Sequence, residues 1–191
     1  MKRIVITDRD KEIIQFLKDF KVASTNTISD LFFNSSLRPC QRRLKYLCEH
    51  GYINSYQENV ITEKIHYLKR KPTNLQHALI LSEFIAKLKI NKIEVIKYKV
   101  PYKFENIIAD AFIAIRVNNK NLIYFVEVEN TKQFDLEKYE KLYYSRSWKD
   151  IFPVFPGIIV ITDKKVNRNN IFNIIKIGLD LSNFKNIKNG N

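Results

Sequence analysis

Three acidic residues in the second half of the chain have the spacing of a metal-assisted catalytic site. Glu127 and Glu129 lie two positions apart in an apolar stretch, and Asp110 lies in the apolar stretch before it. Residues two apart in a strand share a face, and a turn over 118–120 would bring Asp110 opposite the two glutamates. Carboxylates grouped in this way bind Mg²⁺ or Mn²⁺, which can activate a water molecule against a phosphodiester.

A metal-assisted nuclease also uses a cation that positions the attacking water or stabilises the developing charge. Lys138 and Lys141 follow the acidic residues in a segment that we predict to be helical. Without a metal, three convergent carboxylates would repel one another, and the pKa of at least one of them would rise. The candidate catalytic residues are therefore Asp110, Glu127, Glu129 and Lys141, and the three acids are the metal ligands if the site is active.

A second group of residues has the pattern of a helix that reads DNA. Basic and polar side chains recur at i, i+3, i+4 and i+7 in a helix predicted to begin near residue 39: Arg38, Gln41, Arg42 and Lys45. Apolar side chains take the opposite face: Cys40, Leu44 and Leu47. Such a helix can pack on its neighbours while its outer face meets base edges and phosphates in a major groove. The further candidate DNA contacts are Arg43, Lys69, Arg70 and Lys71.

The elements expected around this helix form an N-terminal domain. Amphipathic periodicity and β-branched stretches predict, in order, helices over 7–20, 24–33 and 39–50 and a hairpin over 52–56 and 65–68. Three helices followed by a hairpin are typical of a winged helix-turn-helix. Pro72 and the basic residues before it end this pattern, so we place the domain at residues 1–73.

The second half predicts a small mixed-sheet α/β domain over 74–182, and the whole chain is therefore α+β. The expected elements are helices over 75–88, 134–148 and 169–177 and strands over 93–100, 107–117, 121–129 and 157–162. Residues 183–191 are polar, and we expect them to form a flexible tail.

The composition points to a polyanionic partner. Lys and Arg total 33 against 20 Asp and Glu, which gives a net charge of +13 and favours nucleic acid over a membrane surface. No apolar run reaches the ~20 residues that span a bilayer, so we expect a cytoplasmic protein that does not enter membranes. With two cysteines and four glycines, a disulfide framework, a zinc finger and a glycine-rich phosphate loop are excluded.

These motifs resemble the replication-relaxation family of plasmids and mobile elements, in which a winged helix precedes a domain of the restriction-endonuclease-like, PD-(D/E)xK fold. The resemblance covers about residues 7–163 and rests on short matches: Arg42-Arg43-Leu44-Lys45-Tyr46-Leu47 running into Gly51-Tyr52-Ile53, Leu75-Gln76-His77-Ala78-Leu79, Ala109-Asp110-Ala111, Phe125-Val126-Glu127-Val128-Glu129-Asn130-Thr131 and Lys141-Leu142-Tyr143-Tyr144. It implies binding of double-stranded DNA in plasmid replication or conjugation. The further partners that we expect are replication or conjugation proteins and a second copy of the chain.

The chain departs from the nuclease signature at two positions. Ala109 stands where the signature has proline, and Glu129 stands where it has lysine, which removes a positive charge from the site. We therefore expect a DNA-binding protein with a catalytically degenerate nuclease-like domain and no cofactor. Two alternatives stay open: a Mg²⁺- or Mn²⁺-dependent nuclease that uses the three acids and a helix lysine, and a transcriptional regulator whose second domain dimerises or senses a ligand.

Overall fold

The computed structural model describes residues 5–167, 169–184 and 187. The chain divides into two compact units, Met1–Asn91 and Lys92–Asn191. Helices occur in both units and the larger sheet is mixed, so the fold class is α+β, as predicted.

The first unit combines helices with a small antiparallel sheet. Its elements are α1 (Asp8–Phe20), β1 (Val22–Ser24), α2 (Thr25–Phe32), α3 (Leu37–Glu49), β2 (Asn54–Tyr56), β3 (Ile65–Tyr67) and α4 (Leu75–Ile90). Strand β3 lies between β1 and β2 and pairs antiparallel with both. The three helices and the hairpin predicted from the sequence are present. Strand β1 was not predicted, because three residues are too few to show a period of two.

Helix α4 explains why the first unit extends beyond the predicted boundary at residue 73. It packs on α2 and β1 and buries Phe84 and Leu88 completely. The sequence pattern could not assign α4 to either neighbour, because its apolar residues surround the helix instead of forming one stripe. The helix therefore supplies core to the first unit, and the units divide between Asn91 and Lys92.

The second unit is built on a five-stranded mixed sheet. Its elements are β4 (Glu94–Lys99), β5 (Tyr102–Phe104), β6 (Ile107–Ala109), β7 (Ala111–Val117), β8 (Lys120–Val128), α5 (Glu137–Ser145), a short 3-10 helix (Ser147–Asp150), β9 (Gly157–Ile161) and β10 (Ile174–Ile177). The strand order is β10-β9-β8-β7-β4. Strand β9 pairs parallel with both β8 and β10, whereas β7 pairs antiparallel with both β4 and β8. Strands β5 and β6 form a separate two-stranded sheet.

A two-residue turn sets the register of the central hairpin. Asn118 and Asn119 both have positive φ, 49° and 61°, which asparagine tolerates better than most residues and which matches the right-handed twist of paired strands. The turn joins β7 to β8, where the sequence predicted it, and the last pair in this ladder is Ala111 with Val126.

One predicted helix is wrong. The segment 169–177 contains strand β10, which pairs parallel with β9 from Ile174 opposite Ile158 to Ile177 opposite Ile161. Ile171, Ile174 and Ile175 have helical spacing, but β-branched side chains favour a strand where a sheet edge is available.

The predicted flexible tail over 183–191 lies largely outside the described residues. Of its residues, Phe184 and Ile187 are described and buried.

Candidate nucleic-acid interface and carboxylate site

Helix α3 separates its polar and apolar residues as the sequence predicted. The side chains of Cys40, Leu44 and Leu47 are at most 1% exposed. The opposite face is exposed and consists of Arg38, Gln41, Arg42 and Lys45, which we call the α3 stripe. Lys45 lies 3.8 Å from Glu49 in an exposed pair that holds it only weakly. The stripe is therefore open to a partner.

A groove separates α3 from the β2–β3 hairpin. It has a volume of about 560 Å³, and Gln41 and Lys45 of the α3 stripe line one wall. The groove is also lined by polar side chains and by charges of both signs, namely those of Asn26, Glu49, Ser55, Gln57, Thr62, Glu63 and Lys64. The Asn26 and Lys64 side chains can donate hydrogen bonds to base edges or phosphates. Gln57 Nε2 and the Thr62 hydroxyl already donate to backbone carbonyls of their own loop. Sequence periodicity missed those outside α3 because they come from a helix start, from strand β2 and from the loop between β2 and β3.

His66 lies at the floor of this groove and is 2% exposed. Its Nε2 lies 3.1 Å from the Thr25 hydroxyl. Burial, and secondarily the charge of Lys64, lower the pKa of His66 to about 4. The imidazole is therefore neutral near pH 7 and adds no positive charge to the groove.

Arg43 joins α3 to the start of α1. Its Nε and Nη2 lie 2.9 Å and 2.5 Å from the two carboxylate oxygens of Asp10, and Nη2 also donates to the Val5 carbonyl. Thr7 donates to Asp10 from both its backbone N–H and its hydroxyl. Burial opposes ionisation of Asp10, but the bonds from Arg43 and Thr7 outweigh it and lower the pKa to about 2. The guanidinium of Arg43 is thus committed to a contact within the unit.

A second recess lies on the side of α3 away from the hairpin. It has a volume of about 630 Å³, and we call it the arginine recess because three arginines line it. The lining residues are Thr7, Arg9, Asp10, Phe33, Pro39, Arg42, Arg43 and Tyr46. The guanidinium carbon of Arg9 lies 4.7 Å from the centre of the Phe33 ring. Arg9 belongs to α1, so the pattern within the α3 sequence could not reveal it.

The basic cluster after β3 is also exposed. Lys69, Arg70 and Lys71 begin two residues after the end of the strand. The Lys71 ammonium lies 3.8 Å from the centre of the Tyr56 ring. This cation–π contact holds one member of the cluster against β2. The cluster thus lies beside β2, the edge strand opposite β1 in the sheet.

The register of the central hairpin brings Asp110 and Glu127 together. They occupy the positions that follow the Ala111–Val126 pair, and Asp110 Oδ2 accepts a hydrogen bond of 2.8 Å from the Val128 N–H. Glu127 is 3% exposed. The predicted juxtaposition of these two carboxylates is therefore present.

Two residues at the start of α5 bind the Glu127 carboxylate. The Lys138 ammonium and the Tyr139 hydroxyl both donate to Glu127 Oε1, each at 2.5 Å. Burial raises the pKa of Glu127 and the charge of Asp110 adds to that rise, while Lys138 and Tyr139 oppose it incompletely. Burial also raises the pKa of Tyr139 well above its usual value, with contributions from Glu127, Asp110 and Glu129. All three carboxylates thus act on one buried hydroxyl.

Lys138, and not Lys141, is the lysine that reaches this site. The Lys141 ammonium lies 2.7 Å from Glu137 in an exposed pair one helical turn apart. Glu129 is partly exposed, and its backbone is bonded to Ile161 and Thr162 of the next strand and its end. Among the residues that the structure describes, no group of three or more acidic, histidine or cysteine side chains is placed to hold a metal ion.

No family model, curated protein or solved structure matches this chain. Within the described part of the chain, no helix has the length and apolarity needed to cross a bilayer.

Proposed function

We propose that the protein binds double-stranded DNA and that the first unit is a winged helix-turn-helix with α3 as its recognition helix. The observation that supports this most directly is the division of α3 into a fully buried apolar face and the exposed α3 stripe. The element order α1-β1-α2-α3-β2-β3, with β3 central in the sheet, is the order of that domain class. Arg and Gln in the stripe can make bidentate contacts to guanine and adenine.

We also propose that this binding serves replication or transfer of a plasmid or mobile element, as the sequence resemblance implies. In this proposal the second unit is a restriction-endonuclease-like domain that does not cut DNA. The lack of cleavage is supported by the bonding of Glu127, because its Oε1 already accepts bonds from Lys138 and Tyr139. Glu129 at the usual lysine position adds negative charge where a hydroxide would have to form.

The recognition-helix proposal is tested with a variant that lacks the α3 stripe. Duplexes that the wild-type protein selects from a random pool serve as probes, and binding is measured by fluorescence anisotropy. The R38A/Q41A/R42A/K45A variant should bind at least about a hundredfold more weakly, since each base-reading contact contributes about 1–3 kcal/mol.

A matched control separates base reading from general charge. The K18Q/K103Q/K120Q variant also removes three exposed positive charges, and its residues lie outside the stripe and the groove. We expect it to lose much less affinity. Equal losses in the two variants would contradict the assignment of α3 as a recognition helix.

A metal-dependent nuclease is the second candidate function, and the position of Lys138 favours it. A lysine beside two adjacent carboxylates could replace the one missing at position 129. Incubation of supercoiled DNA with the protein and Mn²⁺ tests it directly. We expect no cleavage. Nicking that disappears in both the Asp110→Asn and the Lys138→Gln variants would establish the nuclease instead.

A further inference from the structure

The two sides of the α3 stripe border different surfaces. Gln41 and Lys45 border the groove beside the hairpin, whereas Arg42 borders the arginine recess beside α1. A helix that lies in a major groove has one phosphate backbone on each side, because the groove is only ~12 Å wide. The two sides of α3 therefore face different strands of a bound duplex.

The arginine recess has the charge of a phosphate site. Three of its lining residues are arginines, and its one acid, Asp10, is already paired with Arg43. This leaves the positive charges of Arg9 and Arg42 at the recess. Among the described residues, neither of these two arginines has a salt bridge to a carboxylate at 4.0 Å or less.

The guanidinium of Arg9 is also held in place before any ligand arrives. It stacks on the Phe33 ring at 4.7 Å, and Phe33 is itself 8% exposed and therefore fixed by its own packing. A cation–π contact restricts a long side chain without using its N–H donors. Those donors can then form the paired bonds that arginine makes to phosphate oxygens. Preorganisation of this kind lowers the entropy lost on binding.

We propose that the arginine recess binds a DNA backbone phosphate, with Arg9 as the principal contact and Arg42 beside it. The inference rests on the proposed function and extends it. It adds a contact from α1 to the DNA strand on the side of α3 away from the hairpin. Arg9 holds the duplex in register and leaves base reading to the α3 stripe. The phosphodiester is the ligand, and free phosphate or a nucleotide would satisfy only part of the site.

The test is the salt dependence of DNA binding in the full-length chain. The Arg9→Gln variant should bind every duplex more weakly by a similar factor, about tenfold at moderate salt. The negative slope of log K against log salt should become smaller in magnitude by about 0.9. The Lys11→Gln variant is the matched control, because it removes the same charge from an exposed residue of the same helix that does not line the recess. It should leave the slope nearly unchanged.

The contacted phosphate can be identified by a thermodynamic cycle. Single phosphates of the selected duplex are replaced by neutral methylphosphonates, and the effect of Arg9→Gln is measured for each. At one position, next to the bases read by α3, the mutation should have no further effect, since the contact is already lost. Inorganic phosphate and a nucleoside monophosphate, tested as competitors, should displace the duplex only at millimolar concentrations.

Different failures have different meanings. If wild-type protein binds duplexes through the α3 stripe but Arg9→Gln behaves like Lys11→Gln, the recess proposal is wrong and the DNA-binding function stands. If no phosphate position couples to Arg9, the recess does not contact the backbone, and the proposal is again wrong. If the wild-type protein selects no duplex at all, the proposed function fails and the recess proposal fails with it.

Discussion

Arg42 and Arg43 are neighbours of the same type with different surroundings. Arg42 is exposed in the α3 stripe, whereas Arg43 forms a bidentate contact with an aspartate that is 1% exposed. A carboxylate buried in this way depends on its partner, because without it the charge is neither solvated nor paired. The two residues should therefore differ in what their loss affects.

We expect Arg43→Ala to destabilise the protein by about 2–4 kcal/mol, because it leaves Asp10 buried without its main partner. Arg42→Ala should change stability by less than about 0.5 kcal/mol and should instead weaken DNA binding. Urea unfolding measures the stability of both variants, and fluorescence anisotropy measures their DNA binding. If the Arg43→Ala variant is as stable as the Arg42→Ala variant, the stabilising role of Arg43 is refuted.

His66 should make the first unit sensitive to acid. Its pKa is about 4 in the folded protein and near 6.5 in an unfolded chain, so the unfolded chain binds the proton more tightly. Its contribution to stability is complete above about pH 6.5 and decreases as the pH falls towards 4, by about 3 kcal/mol over that range. His66→Phe should flatten this part of the stability profile, because it removes the group that titrates differently in the folded and unfolded chains. Denaturant titrations between pH 4 and 7 measure the slopes.

Leu37 and Leu44 of helix α3 allow a direct comparison. Leu44 is 1% exposed and Leu37 is 40% exposed. Leu44→Ala should reduce the free energy of unfolding by about 2–5 kcal/mol, because it leaves a cavity in the core. Leu37→Ala should cost far less, since water already reaches that side chain. Similar losses from both substitutions would mean that α3 packs through a different face.

Helices α1, α2 and α3 could be predicted from the sequence, because each has a clear apolar stripe of period 3.6. The same rule fails over 169–177, where three isoleucines fit a helix and a strand equally well and the neighbouring strand β9 decides the outcome. Long-range contacts decided the rest. Arg43 pairs with a residue 33 positions away. Lys138 adjoins the buried Tyr139 and reaches Glu127, whereas Lys141 pairs with the exposed Glu137.

The chain as a whole consists of two units, and the first should be stable without the second. A fragment of residues 1–91 retains all elements that contact one another in that unit, including α4. We expect it to unfold cooperatively and to bind the selected duplexes as the full chain does. A fragment of residues 1–73 should fail to fold, because it exposes the surfaces of α2 and β1 that α4 covers. Circular dichroism and thermal unfolding distinguish the two, and a folded 1–73 fragment would restore the earlier boundary.

The two-asparagine turn between β7 and β8 has a consequence for how this chain can vary. Because that turn fixes the register, the meeting of Asp110 with Glu127 depends on the number of residues in a loop at the far end of the hairpin. A shift of the register by one position would turn Glu127 to the other face of the sheet. Relatives that differ by one residue in loop length can therefore lose the carboxylate pair while keeping both acids in their sequences. Comparison of loop lengths is thus as informative about this site as comparison of the acidic residues themselves.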